Sequence, residues 1–104
     1  PLPPGTINIV ILIDADLTPG ALVRASTVAT EAKTLALVEA GQRTRQGYVA
    51  TGTPTDVTVV GHSGRGVHFE YAGSATLVGA LVALTAHHYV KEGLAAYNRR
   101  KQRE

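Results

Sequence analysis

The chain contains no cysteine, no methionine and no tryptophan. Without cysteine, disulfide staples, thiolate nucleophiles and sulfur-ligated metal centres are excluded. That usage fits a reducing compartment, and the expected location is cytoplasmic. The absence of methionine includes an initiator, which reads as a chain that is processed or cut from something longer. Aromatic residues make up only 5% of the sequence, so a core has to come from Ala, Val, Leu and Gly through close backbone approach. Charged residues make up 17%, below the roughly 25% usual for soluble domains. Part of the surface is therefore expected to be covered by another copy of the chain or by a missing segment.

At 104 residues and 44% hydrophobic content the sequence suits one domain with a modest core. The formal net charge of +2 is misleading, because Arg99, Arg100, Lys101 and Arg103 crowd a basic tail over 98–104 and the rest is slightly acidic. A nucleic-acid footprint needs positive charge spread over one face with stacking aromatics, and neither is present. The tail reads as a helix end whose cations complement the helix dipole. Residues 71–90 carry no formally charged side chain and approach the length of a membrane span. Ser74, Thr76, Thr85, His87 and His88 would be costly at depth in a bilayer, so a buried helix is expected instead.

Residues 1–5 read as an extended, proline-rich arm. Thr6–Ile13 is β-branched and apolar on both faces, the pattern of a strand covered on both sides. Its one amide, Asn8, is expected either to pair within the core or to point into a site. Thr18 has the character of an N-cap with Pro19 in the first helical position. Asp14 and Asp16 would then lie beside the helix N-terminus, serving either as favourable charges there or as ligands of a hard cation. The helix is expected from about Gly20 to Ala40, ending at Gly41. Leu22, Ala25, Ala29, Ala32 and Ala36 form its small-residue stripe. Glu31 lies near Ser26, Thr27, Thr30 and Thr34, on a side that is either a solvated face or one turned to a ligand.

Beyond a polar loop, Tyr48–Ala50, Asp56–Gly61 and Val67–Tyr71 read as strands, the last two joined as a hairpin. Ser74 is the expected N-cap of a final helix from about Ala75 to near Arg100, apolar nearly all round its first half and so buried on more than one side. His87 and His88 would point about 100° apart on it and could not clasp one metal; a core or interface pair is expected. The fold class is α/β: a small mixed sheet packed by two long helices, in the order β-α-β-β-β-α.

Chemistry concentrates in Val49–Gly66. Thr51, Gly52, Thr53, Pro54, Thr55 and Asp56 precede an apolar strand, and His62-Ser63-Gly64-Arg65-Gly66 follows it. Such clusters serve either as satisfied turns or as ligand sites. A hydroxyl nucleophile among Thr51, Thr53 and Ser63 stays open, and Ser63 beside His62 is not by itself a triad.

The order GTIN (5–8), TEAKT (30–34), ATGTPTD (50–56) and YAG (71–73), with Thr76 and Gly79, resembles the C-terminal half of the adenosylcobinamide amidohydrolases. Pro54 stands where glycine is expected, and Ser74-Ala75 replaces bulkier or more polar residues. The resemblance implies hydrolysis of the amide joining the corrin propionate to aminopropanol, giving adenosylcobyric acid in corrinoid salvage. The corrinoid would be substrate, with no resident cofactor or metal expected. That reaction needs a base, a proton donor and oxyanion donors. Asp56 or Glu31 could act as base, His62 could shuttle a proton, and backbone amides at Gly52 and Thr53 could bind the oxyanion. The expected catalytic residues are Asp56, Glu31, His62 and Thr53; the expected substrate contacts are Asn8, Asp14, Thr51, Gly52 and Ser63. The alternative is a non-catalytic corrinoid-binding or assembly module of the same fold. The other expected partner is a second copy or a missing N-terminal half; neither nucleic acid nor membrane is expected.

Overall fold

A computed structural model of the chain describes residues 5–103. The proline-rich arm thus lies, but for Gly5, outside the described residues. The elements are β1 (Asn8–Ile13), β2 (Asp16–Leu17), α1 (Pro19–Glu39), β3 (Val57–His62), β4 (His68–Phe69) and α2 (Leu77–Gln102). This is the α/β class expected, with two long helices and four strands.

Strand β1 pairs with β3 in parallel from Asn8↔Val57 to Ile13↔His62, and β2 pairs with β4 in parallel at Asp16↔His68 and Leu17↔Phe69. The stretch around Tyr48–Ala50 is reduced to one antiparallel bridge, Arg43↔Val49. No hairpin joins β3 to β4. Beyond β3, the amide of Ser63 donates to the Ile13 carbonyl and that of Gly64 to Ala15, both at 3.0 Å. The amide of Leu17 donates to His62 Nδ1 at 3.0 Å. These bonds carry the two chain segments side by side across the gap, so β4 meets β2 instead of folding back on β3.

Helix α1 begins as its sequence dictates. Thr18 Oγ1 accepts from the Ala21 amide at 3.1 Å and donates to the Glu70 carbonyl at 2.8 Å, joining the cap to the segment after β4. Gly41, with φ of +69°, follows the Ala40 cap. The small-residue stripe is buried at Ala25, Ala29, Ala32 and Ala36, and with Ala15, Leu17, Val28, Ala72, Val78, Val82 and Ala86 it forms the interior. Ile11, Ile13, Val60 and Phe69 pack against that cluster. The N-cap of α2 is Thr76, whose Oγ1 accepts from the Gly79 amide at 3.0 Å, two residues beyond the expected Ser74. A Cβ at Gly79 would sit 2.0 Å from the Gly73 carbonyl oxygen, so only glycine lets α2 seat on that turn.

Two expectations about burial fail. On α2 the buried stripe is Val78, Val82, Ala86 and Val90, while Leu77, Leu81 and Leu84 are exposed. The helix thus buries one side, not several. On β1 the residues alternate, with Ile9, Ile11 and Ile13 half-buried and Asn8, Val10 and Leu12 exposed. The strand is covered on one face only, because α1 packs on one side and nothing described lies on the other. Arg99, Arg100 and Lys101 occupy the last turn of α2, where the helix dipole favours them. No helix among the described residues is long and apolar enough to cross a membrane.

Candidate functional site

The nine residues expected to form one site fall into separate places. Thr51, Gly52, Thr53 and Asp56 precede β3, whereas His62 ends it and Ser63 follows. Six extended residue steps separate Asp56 from His62, roughly 20 Å. Because β1 runs parallel to β3, Asn8 lies at the Asp56 end and Asp14 at the His62 end. Asn8 is exposed there, not paired within the core. Glu31 is on neither end: it is exposed on α1, 3.1 Å from Arg24 Nη1.

The Asp56 end is built around a buried ion pair. Lys33 Nζ lies 2.8 Å from Asp56 Oδ2, with side chains 8% and 10% exposed. The second donor to Oδ2 is the Thr53 amide at 2.9 Å; Oδ1 accepts from the Ile7 amide at 2.9 Å and from Thr53 Oγ1. Burial raises the pKa of this carboxyl, but the bonds from Lys33, Thr53 and Ile7 outweigh it and hold it at about 2. Four donors thus saturate a carboxylate that stays ionised at neutral pH, which suits a clamp and not a proton acceptor. Gly52 follows from the same packing: a Cβ there would lie 2.9 Å from both Asp56 Oδ2 and Lys33 Nζ. Thr34 Oγ1 donates to the Thr51 carbonyl at 3.1 Å, so two residues of TEAKT hold the ATGTPTD loop from beneath.

Asn8, Gly52 and Thr53 line a groove of about 1010 Å³ that runs between β1 and α2. Glu31 lines a different cleft of about 340 Å³ between α1 and α2, together with Glu39, Ser74 and His87. There His87 Nε2 and Glu39 Oε1 are 2.5 Å apart. The His87 hydrogen bond lowers the Glu39 pKa, against the effect of burial and helped by the charges of His87 and Lys91. His88 pairs instead with Glu92, at 3.3 Å along its own helix, so the two histidines diverge.

The carboxyl ends of β1 and β3 carry the more reactive arrangement. Ser63 Oγ donates to Asp14 Oδ1 at 2.8 Å, and Arg65 Nη2 lies 3.9 Å from the same oxygen. Asp14 therefore serves the loop after β3, and Asp16 pairs with His68 of β4; neither carboxylate bonds the N-terminus of α1. His62 accepts the Leu17 amide on Nδ1, which leaves the proton of the neutral ring on Nε2. His68 Nδ1 lies 2.8 Å from Asp16 Oδ2, with the side chains 57% and 42% exposed. When Nδ1–H donates to that carboxylate, the free lone pair sits on Nε2, the form of an oriented general base. In an open α/β sheet this edge is also where ligands usually bind.

Sequence reading missed Asp16–His68 and Lys33. The dyad depends on the β2–β4 register, which a hairpin reading removes. Lys33 lies on a helix whose neighbouring Glu31 is solvated, and only contact with Asp56 marks it as buried. Among the described residues no group of three or more His, Asp or Glu side chains gathers as metal ligands.

Comparison with known proteins gives the chemical context. The family model of adenosylcobinamide amidohydrolase matches residues 1–102. An uncharacterized protein of Methanocaldococcus jannaschii is 41% identical over 93 residues, covering 86% of this chain and 36% of the relative. An adenosylcobinamide amidohydrolase of Methanosarcina mazei is 36% identical over 99 residues, covering 86% of this chain and 46% of the relative. The chain thus spans less than half the length of these two curated relatives. No solved structure matches it significantly. With the match running through both helices and all four strands, the chain belongs to the adenosylcobinamide amidohydrolase family.

Proposed function

We propose that this chain hydrolyses the amide between a corrin propionate and aminopropanol in adenosylcobinamide, with the reacting groups at the carboxyl ends of β1 and β3. The observation that carries the reading is the family match over residues 1–102. The His68–Asp16 pair supports the location, because it is exposed and oriented, and Arg65 lies beside Asp14 two residues before Asp16. In this reading His68 Nε2 takes a proton from water as the water oxygen bonds to the amide carbon. Arg65 offers positive charge to the developing oxyanion. Collapse breaks the C–N bond, and His68 returns its proton to the leaving nitrogen, giving adenosylcobyric acid and aminopropanol. Ser63 and Asp14 contact substrate, and His62 offers an N–H from Nε2. Asp56 and Thr53 act as positioning residues that fix the loop under Gly52.

The test is incubation of the purified chain with adenosylcobinamide, following aminopropanol release. His68→Asn, which cannot accept the proton, is expected to lower the rate by at least about 100-fold. Unchanged turnover in that variant would move the chemistry elsewhere. The second reading, a corrinoid-binding module without turnover, is favoured by the separation of Asp56, His62 and Glu31, which share no one cleft. Saturable corrinoid binding with no product would select it.

A further inference from the structure

The edge of β1 that faces away from β3 is open, and its backbone groups can be identified. The Val57 amide donates to the Ile7 carbonyl and the Ser63 amide to the Ile13 carbonyl. In a parallel ladder the N–H and C=O of one residue point to the same side and alternate along the strand. Ile7, Ile9, Ile11 and Ile13 therefore face β3, while Asn8, Val10 and Leu12 present N–H and C=O outward. Among the described residues, no strand pairs with that side.

Natural proteins guard such an edge with lysine, proline, a bulge or a covering element. β1 reads NIVILI and carries none of the side-chain guards. The groove beside it is lined by every residue from Gly5 to Ile11. A strand that turned only a side-chain face to a groove would contribute alternate residues, so consecutive lining marks the backbone edge itself. The opposite wall is α2, through Tyr89, Gly93 and Tyr97, with Leu37 of α1 also lining the groove. The adjoining sheet face is apolar and bare, with Val10 66%, Leu12 81%, Val57 53% and Val59 50% exposed.

We propose that the open edge of β1 is a docking edge for an apolar β-strand supplied by the further polypeptide that the relatives possess. More than half of each of the two curated relatives lies outside the match, so the family has chain enough to extend this sheet. A strand laid along β1 would pair Asn8, Val10 and Leu12 and fill the groove against α2. Its side chains on one face would enter the groove, and those on the other would lie beside Val10 and Leu12 and extend the bare face. The recognition is main-chain hydrogen bonding with side-chain pockets adding register. This inference rests on family membership and not on where hydrolysis occurs.

The test compares the chain alone with a chimera in which this chain replaces the matched stretch of the Methanosarcina mazei relative. Amide exchange is read residue by residue, with no substrate present. In the chain alone the amides of Val10 and Leu12 should exchange fast beside slow Ile9, Ile11 and Ile13. In the chimera Val10 and Leu12 should slow by at least about tenfold. Val10→Pro removes an outward N–H without touching the β1–β3 ladder; it should destabilise the chimera while the chain alone keeps its fold. Fast exchange at Val10 and Leu12 in a folded chimera overturns the proposal, as does a chimera that cannot fold when the chain alone does. Protection in the chain alone that grows with concentration also overturns it, in favour of a second copy on the same edge.

Discussion

Replacing Lys33 with methionine tests whether the Asp56 clamp holds the domain together. The substitution keeps the volume of the stem but removes Nζ from its place 2.8 Å from Asp56 Oδ2, leaving a carboxylate only 10% exposed. Breaking a buried pair from one side costs about 3–5 kcal/mol. Three donors remain, from Thr53 and Ile7, so the low end, about 3 kcal/mol, is expected. A domain of this size has about 5–15 kcal/mol in total. The loss should lower Tm by roughly 12–24 °C, at about 4–8 °C per kcal/mol. The urea midpoint should fall with an unchanged slope. The pH dependence gives a second reading. Asp56 has its pKa lowered from 3.8 to about 2 in the folded state. The stabilisation, about 2–3 kcal/mol, is therefore present above pH 3.8 and is lost as pH falls through about 2. The cost of Lys33→Met should accordingly be large at pH 7 and shrink near pH 2. A cost below about 1 kcal/mol at pH 7, or one that is equal at both pH values, would refute the clamp.

Two backbone substitutions probe the same packing from other sides. Gly79→Ala places a methyl 2.0 Å from the Gly73 carbonyl oxygen and should cost about 1–3 kcal/mol or more by denaturant titration; a neutral result would mean that the 72–76 turn can move away. Gly52→Ala pushes on both partners of the clamp at 2.9 Å, so its stability cost should overlap that of Lys33→Met. The double variant should then be less destabilised than the two losses added together, and strict additivity would separate Gly52 from the ion pair.

Much of the fold was legible because local chemistry decided it. The Thr18-Pro19 start and the Ala40-Gly41 end of α1 follow from capping and from the missing proline N–H, and both lie where the sequence puts them. The alanine stripe of α1 is buried for the reason its spacing gives. The second helix was legible as an element but not in its orientation. With apolar residues nearly all round, its sequence does not say that Val78, Val82, Ala86 and Val90 turn inward while Leu81 and Leu84 face out. The candidate site was legible as a set of residue types and not as a constellation. Asp56 and His62 are near in sequence, yet an extended strand carries them to opposite ends of β3.

The sequence by itself determined the α/β class, the absence of thiol chemistry, the caps of α1 and the family, since composition, short-range backbone preference and motif order need no partner. Tertiary structure alone decided which polar residues are spent on architecture. Lys33 and Asp56 lie 23 positions apart and become a buried pair only when α1 crosses from β1 to β3. Asp16 and His68 lie 52 positions apart and become a dyad only when β4 takes its register beside β2. A carboxylate's environment fixes whether it takes a proton, and that environment is made by elements distant in the chain.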